Sequence, residues 1–200
     1  MRKARGHCPF RQTERPRRGV VILEMIVAAP LFFLMVLAIF EFGFLALTLQ
    51  VGHTALIEGT RRAAELYPPL YPLESPGADN DIADQVVEFM NEHLSVHCLE
   101  IFDPTQGFVD DPARANVVAI IERDMMTVQR GVDANLPAGH VCTPAGPAPT
   151  ADEVRVTLCF PLVDATNPNG CGNPVPDWLA PAGFSLSTCV FESSSRATVE

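Results

Sequence analysis

His93 and His97 stand four residues apart in a stretch of helical periodicity, with Cys98 beside them, a spacing that can put a metal ion on one helix face. The set is incomplete. His93 is not part of a His-Glu-x-x-His motif, no carboxylate base lies between the rings, and no fourth ligand can be named, so ordinary helix-surface histidines account for the pair. Asp164 with Asn167-Pro168-Asn169-Gly170 faintly resembles a calcium loop, but alternate-position ligands and a closing glutamate are missing, and a plain turn is the simpler reading. Serines crowd the end of the chain without a Gly-x-Ser-x-Gly elbow. These residues imply no catalytic centre, no metal, no cofactor and no small-molecule substrate.

Two carboxylates, Glu24 and Glu41, lie in or beside a long apolar run. Residues 25–49 hold one charged side chain, Glu41, and about 20 apolar residues at ~1.5 Å each suffice to span a bilayer. The run is too long for the apolar part of a cleaved signal peptide, and no small-x-small site follows it. A span that starts near Val21 puts Glu41 at the outer interface as a solvated boundary residue; a helix-packing contact beside Gly43 is the alternative. An unpartnered carboxylate at Glu24 costs roughly 2.5–3.5 kcal/mol in hydrocarbon, so it calls for a partner.

Charge is divided as unevenly as hydropathy. Residues 1–19 hold seven of the fourteen Lys and Arg and one of the 24 acidic residues, +6 in all. Seven basic and 23 acidic side chains, −16, remain for the rest. A basic head before an apolar run keeps the N-terminus inside and sends everything after about residue 50 out. Arg17-Arg18 lacks the surroundings of a twin-arginine signal. The acidic body repels phosphates and the head lacks aromatic residues, so no nucleic-acid partner is implied.

The elements that position these residues follow from period and punctuation. Ala55, Leu56, Gly59, Ala63 and Leu66 repeat at helical intervals until Pro68-Pro69, which predicts one helix over 20–66, ~70 Å long, loosened at Pro30. Residues 67–80 form a Pro/Gly/Asp linker, and an exported domain fills 81–200. Ile82, Val86, Phe89, Met90, Leu94 and His97 share one side of an amphipathic helix over 81–99. Asp111-Pro112 as cap and Gly131 as stop, with Val117, Val118, Ile121, Met125 and Val128 between, predict a second helix, although 117–121 alone also suits a buried strand. Residues 154–160 alternate as a half-buried strand, and 184–192 alternate more weakly, with a Pro/Asn/Gly loop over 162–183.

Arg17-Arg18-Gly19-Val20-Val21-Ile22-Leu23-Glu24-Met25 resembles the cleavage site of class III prepilin-like proteins: a basic leader, a glycine, four apolar residues, then glutamate. Pro30, Ile39-Phe40-Glu41-Phe42-Gly43, the segment from Ala55 through Thr60-Arg61-Arg62 to Ala64, and the closing Ser195-Arg196-Ala197-Thr198-Val199-Glu200 are similar to motifs of the TadE-like family; Met25 stands where that family commonly has an aromatic residue. The resemblance covers 17–65 well and the end thinly. It implies that a prepilin peptidase cleaves between Gly19 and Val20, removing the 1–19 leader, and that Glu24 then meets the N-terminal ammonium of a neighbouring pilin-like subunit. It further implies a non-enzymatic minor subunit in the inner membrane, N-terminus cytoplasmic, that works with pilus assembly proteins of a tight-adherence type IVb pilus or secretion apparatus. A single-pass exported binding or stalk protein, never processed and unrelated to pili, is the alternative.

The expected fold is α+β: a long N-terminal transmembrane helix, then a small exported domain of two helices and a short antiparallel C-terminal sheet. No CxxC pair occurs, so the five cysteines of the exported part suit disulfides. If 154–160 and 184–192 pair as antiparallel neighbours, parity puts Cys159 and Cys189 on the face opposite Val154, Leu158 and Leu186. Their Cα atoms would then lie roughly 4.5–5.5 Å apart, within disulfide reach. The competing arrangement pairs Cys171 with Cys189 and leaves Cys159 for Cys142.

Overall fold

The computed structural model describes residues 18–66, 73, 82–102, 115–163 and 174–199. Helix α1 spans Arg18–Glu65, 48 residues with Pro30 inside, much as the apolar run and its amphipathic extension predict. The Asp111-Pro112 cap, the Asn167–Gly170 turn and, Leu73 apart, the linker assigned to 67–80 lie outside the described residues, as do Cys8 and Cys171. The chain divides into two units, one ending at Val36 and the other starting at Leu37.

In the first unit α1 is apolar on every side. Ile22, Met25, Ile26, Phe33 and Met35 are all more than 60% exposed. A helix exposed and apolar all round suits hydrocarbon, not water. The region Ile22–Glu65 includes the one described helix long and apolar enough to cross a membrane.

In the second unit α1 acquires two faces. Glu41, Thr48, Ala55, Leu56, Thr60 and Ala63 are buried along one stripe, and Leu45 and Leu49 pack beside them, whereas Glu58 and Arg61 face outward. Residues 41–49 therefore belong to the folded domain on one side, although their hydropathy alone assigns them to a span. Helix α2, Ile82–Leu94, buries Ile82, Ala83, Val86, Val87, Met90 and Leu94. It ends in a tight turn, Ser95–His97, followed by Cys98 in the left-handed region at φ 61°.

Four antiparallel strands form one sheet in the order β2-β1-β3-β4: β1 Val118–Arg123, β2 Met126–Arg130, β3 Glu153–Pro161 and β4 Val190–Thr198. The helix expected between Asp111 and Gly131 is instead the β1–β2 hairpin. Residues 117–121 are all buried, because β1 is covered on both faces and so shows an unbroken apolar run in place of alternation. Met125, expected on the core side of a helix, is 96% exposed in the two-residue turn, where Asp124 takes φ 53°. Gly131 ends β2 with φ 87°, and a Cβ there would meet the Val117 carbonyl oxygen.

The core lies between the helices and one sheet face. Val154, Val156, Leu158 and Phe160 of β3 join Ala119, Ile121 and Val128 beneath α1 and α2. The opposite face holds a smaller cluster, Val118, Ile120, Cys159, Leu136 and Cys142, covered by the segment that follows β2. Strand β3 is therefore buried on both sides, not half-buried as its alternation suggests. Of the strand expected over 184–192 only 190–192 is strand; β4 runs on to Thr198 through the polar run Ser193-Ser194-Ser195, at a sheet edge where alternation of hydropathy is not required.

Candidate functional site

The segment predicted to be processed forms the start of α1: Gly19 and Val20 lie in its first turn. Glu24, one turn further, is exposed among apolar neighbours and has no hydrogen bond or ion pair among the described residues.

Glu41 is different. It is buried, not solvated as the boundary reading expects, and its Oε2 accepts a 2.9 Å hydrogen bond from the backbone nitrogen of Leu179. Its other oxygen, Oε1, has no partner among the described residues. About two helical turns on, Thr48 Oγ1 donates to the carbonyl of Pro174 at 3.2 Å. The segment from Pro174 to Leu179, part of the loop expected over 162–183, thus clasps α1 through two backbone groups. Val175 and Leu179 are buried, and the Val175 amide donates to the Leu162 carbonyl at 3.0 Å. Rings complete the clasp: Phe42 lies 5.7 Å from Phe184 and Phe44 6.0 Å from Trp178, centre to centre.

Two glycines let α1 sit down on the domain. A Cβ at Gly52 would lie 2.8 Å from the Phe160 ring, and one at Gly59 2.7 Å from Cγ and Sδ of Met90. The Gly59 position is legible as part of the small-residue repeat of 55–66. Gly52 falls between the apolar run of 25–49 and the repeat that starts at Ala55, and nothing in the local sequence marks it as a packing position.

The expected Cys159–Cys189 bridge is not formed. Cys159 bonds to Cys142, with Cα atoms 5.8 Å apart, and Cys189 is a free thiol. Register is the reason. Cys159 stands opposite Glu192 and Phe160 opposite Phe191, so even-numbered residues of β3 face odd-numbered residues of β4. Cys189 therefore lies on the core side, packed against the helices' cluster, whereas Cys159 points to the other face. The 142–159 link is the half of the competing arrangement that the structure contains. Cys98 is disulfide-bonded as well.

The outer sheet face is fastened by a second device that the sequence does not announce. Arg155 and Glu122 stand opposite each other on β3 and β1 and form a buried ion pair. Arg155 Nε donates to Glu122, and its Nη1 lies 2.8–3.1 Å from the carbonyls of Ala145, Gly146 and Pro147. On the core face, Arg130 Nη2 meets Asp84 Oδ1 at 2.8 Å, joining β2 to α2.

The histidine pair has local roles. His93 Nδ1 lies 3.0 Å from the Phe89 carbonyl and its ring 4.9 Å from the Phe89 ring, while the neighbouring Cys98 is held in a disulfide and has no thiolate to offer. Among the described residues no three His, Cys, Asp or Glu side chains gather at metal-binding distance. Compared with protein-family models, with curated proteins and with solved structures, the chain has no match.

Proposed function

We propose that this chain is a non-enzymatic, pilin-like subunit of the TadE kind, anchored in the inner membrane and supporting assembly of a tight-adherence pilus or its secretion apparatus. The observation that carries the reading is the double use of α1. Its first part is exposed and almost wholly apolar, and its second part packs on the sheet at Gly52, against Phe160, and on α2 at Gly59, against Met90. One helix thus supplies both an apolar segment and a part of the domain core. That is what an assembling fibre asks of its subunits, and a tethered binding module has no such need.

The leader motif adds the chemistry of release. Gly19 gives a peptidase room at the backbone, and cleavage there frees a new α-amino group at Val20 and makes Glu24 the fifth residue of the processed chain. The unpartnered Glu24 is then matched by the ammonium of a neighbouring subunit. The Cys142–Cys159 disulfide and the −16 charge of the body fit an oxidising exported compartment, with the +6 leader inside.

The test is the N-terminus of the mature protein from cells that carry a prepilin peptidase. Mass-spectrometric sequencing should find Val20 first, and deletion of the peptidase should leave the leader on. An intact leader in peptidase-positive cells would overturn the pilin-like reading in favour of an unprocessed single-pass exported protein. A reporter active only outside the cytoplasm, fused after Glu65, checks the orientation separately.

A further inference from the structure

The domain leaves one apolar patch uncovered, built from two distant parts of the sequence. Phe40, Phe42, Phe44 and Leu47 of α1 are 43–54% exposed, and Trp178 and Phe184, whose rings touch Phe44 and Phe42, are 45% and 42% exposed. Phe44 and Trp178 meet edge to face and Phe42 and Phe184 at a tilt of 53°, and rings that touch and still show about half their surface are not scattered exposures. The patch is also free of charge. From Trp178 to Phe191 the sequence has no charged side chain, and from Met25 to Ile57 only Glu41 does, which is buried underneath. The nearest carboxylate of the loop, Asp177, is occupied with the Ser185 hydroxyl and the Leu186 amide.

From this patch we infer that the Trp178–Phe184 loop and the 40–47 turns of α1 form an aromatic collar that sits in the headgroup region of the bilayer, a second membrane contact beside the helix itself. Length places it there. About 20 residues at ~1.5 Å each cross the hydrocarbon, so a span that starts at Ile22 ends near Glu41, where the collar begins. Chemistry agrees. Indole and phenyl rings with an apolar body gather at membrane interfaces, and the Trp178 N–H can reach headgroup oxygens. The continuous apolar surface of α1 that leads into the patch favours lipid over a second protein as its occupant. A collar of this kind fixes the depth of the domain at the membrane surface.

This inference rests on the anchor reading of α1, and its test separates the two. Trp178 is the chain's single tryptophan, so its emission reports the patch alone. The full chain is reconstituted in phosphatidylcholine vesicles brominated either high or low on the acyl chains. High bromines should quench Trp178 at least about twofold more than low bromines, as for a residue at the interface. In the Phe32→Trp/Trp178→Phe variant the order should reverse, because Phe32 lies mid-span. Quenching at position 32 with none at Trp178 leaves the anchor standing and overturns the collar. Absence of quenching at both positions overturns the anchor and the collar together. Emission from Trp178 that ignores bromine but shifts with the protein-to-lipid ratio assigns the patch to a second copy of the chain and also overturns the collar.

Discussion

Glu41 Oε2 and the backbone nitrogen of Leu179 are joined by a buried 2.9 Å hydrogen bond that closes a loop of 138 residues. From Glu41 onward one side of α1 belongs to the core of the second unit. A carboxylate in an otherwise apolar stretch is costly unless a donor meets it, and here the donor is an amide of the Trp178–Phe184 loop.

Removing the acceptor should therefore release the loop. Glu41→Ala leaves the Leu179 N–H buried without a partner and should cost about 1–3 kcal/mol. Glu41→Gln keeps an acceptor and should retain most of the stability. Thermal unfolding in lipid nanodiscs measures the loss, and hydrogen exchange at Leu179 locates it. Equal losses in the two variants would show that the acceptor is not what the loop needs.

The two α1 glycines should differ in their tolerance of a methyl group. At Gly52 the obstacle is the Phe160 ring, stacked at 4.5 Å on Phe191 and unable to yield, so Gly52→Ala should destabilise by about 1–3 kcal/mol. At Gly59 the obstacle is the flexible Met90 side chain, and Gly59→Ala should cost less than about 1 kcal/mol, helped by the helix propensity of alanine. Denaturant midpoints of the two variants rank them, and a larger loss at Gly59 is the contrary result.

The Cys142–Cys159 bridge spans 17 residues and covers the outer sheet face. Its loss through Cys142→Ser should cost about 3 kcal/mol in the chain-entropy model, whereas Cys189→Ser should be near neutral, its thiol being unlinked. Non-reducing peptide mapping checks the linkage directly, with Cys189 alkylated by iodoacetamide without reductant. A linked Cys159–Cys189 peptide would contradict the register of β3 and β4.

Arg155 should not be replaceable by lysine. Lysine can keep the ion pair with Glu122, but a single ammonium cannot also reach the three carbonyls at 145–147. Arg155→Lys should cost about 1–3 kcal/mol. Faster amide exchange should follow in the segment after β2, with that of the core-face strand positions unchanged.

Much of this architecture is legible in the sequence because it rests on local period. The apolar run before Pro68 is a helix in any setting, and Val154, Val156, Leu158 and Phe160 alternate as a strand must when one face meets a core. The hairpin is not legible, because residues buried on both faces lose the alternation that identifies a strand. Val117–Ile121 then reads equally well as a helix turn, and Asp124-Met125 lacks the glycine that marks most two-residue turns. Strand β4 escapes detection for the opposite reason: its serines lie at an edge where little hydropathy is demanded.

The charge asymmetry, the Gly19-to-Glu24 motif, the long helix and the α+β class are set by composition and short-range spacing, which do not change when the chain folds. Tertiary structure alone decides that Glu41 is buried, that Gly52 is a seat for Phe160, that Trp178 and Phe184 flank α1, and that Cys159 bonds to Cys142. Each of these depends on which residues meet across long stretches of chain. A shift of one residue in the β3–β4 register exchanges the two faces of the sheet, and nothing local to Cys159 or Cys189 carries that information.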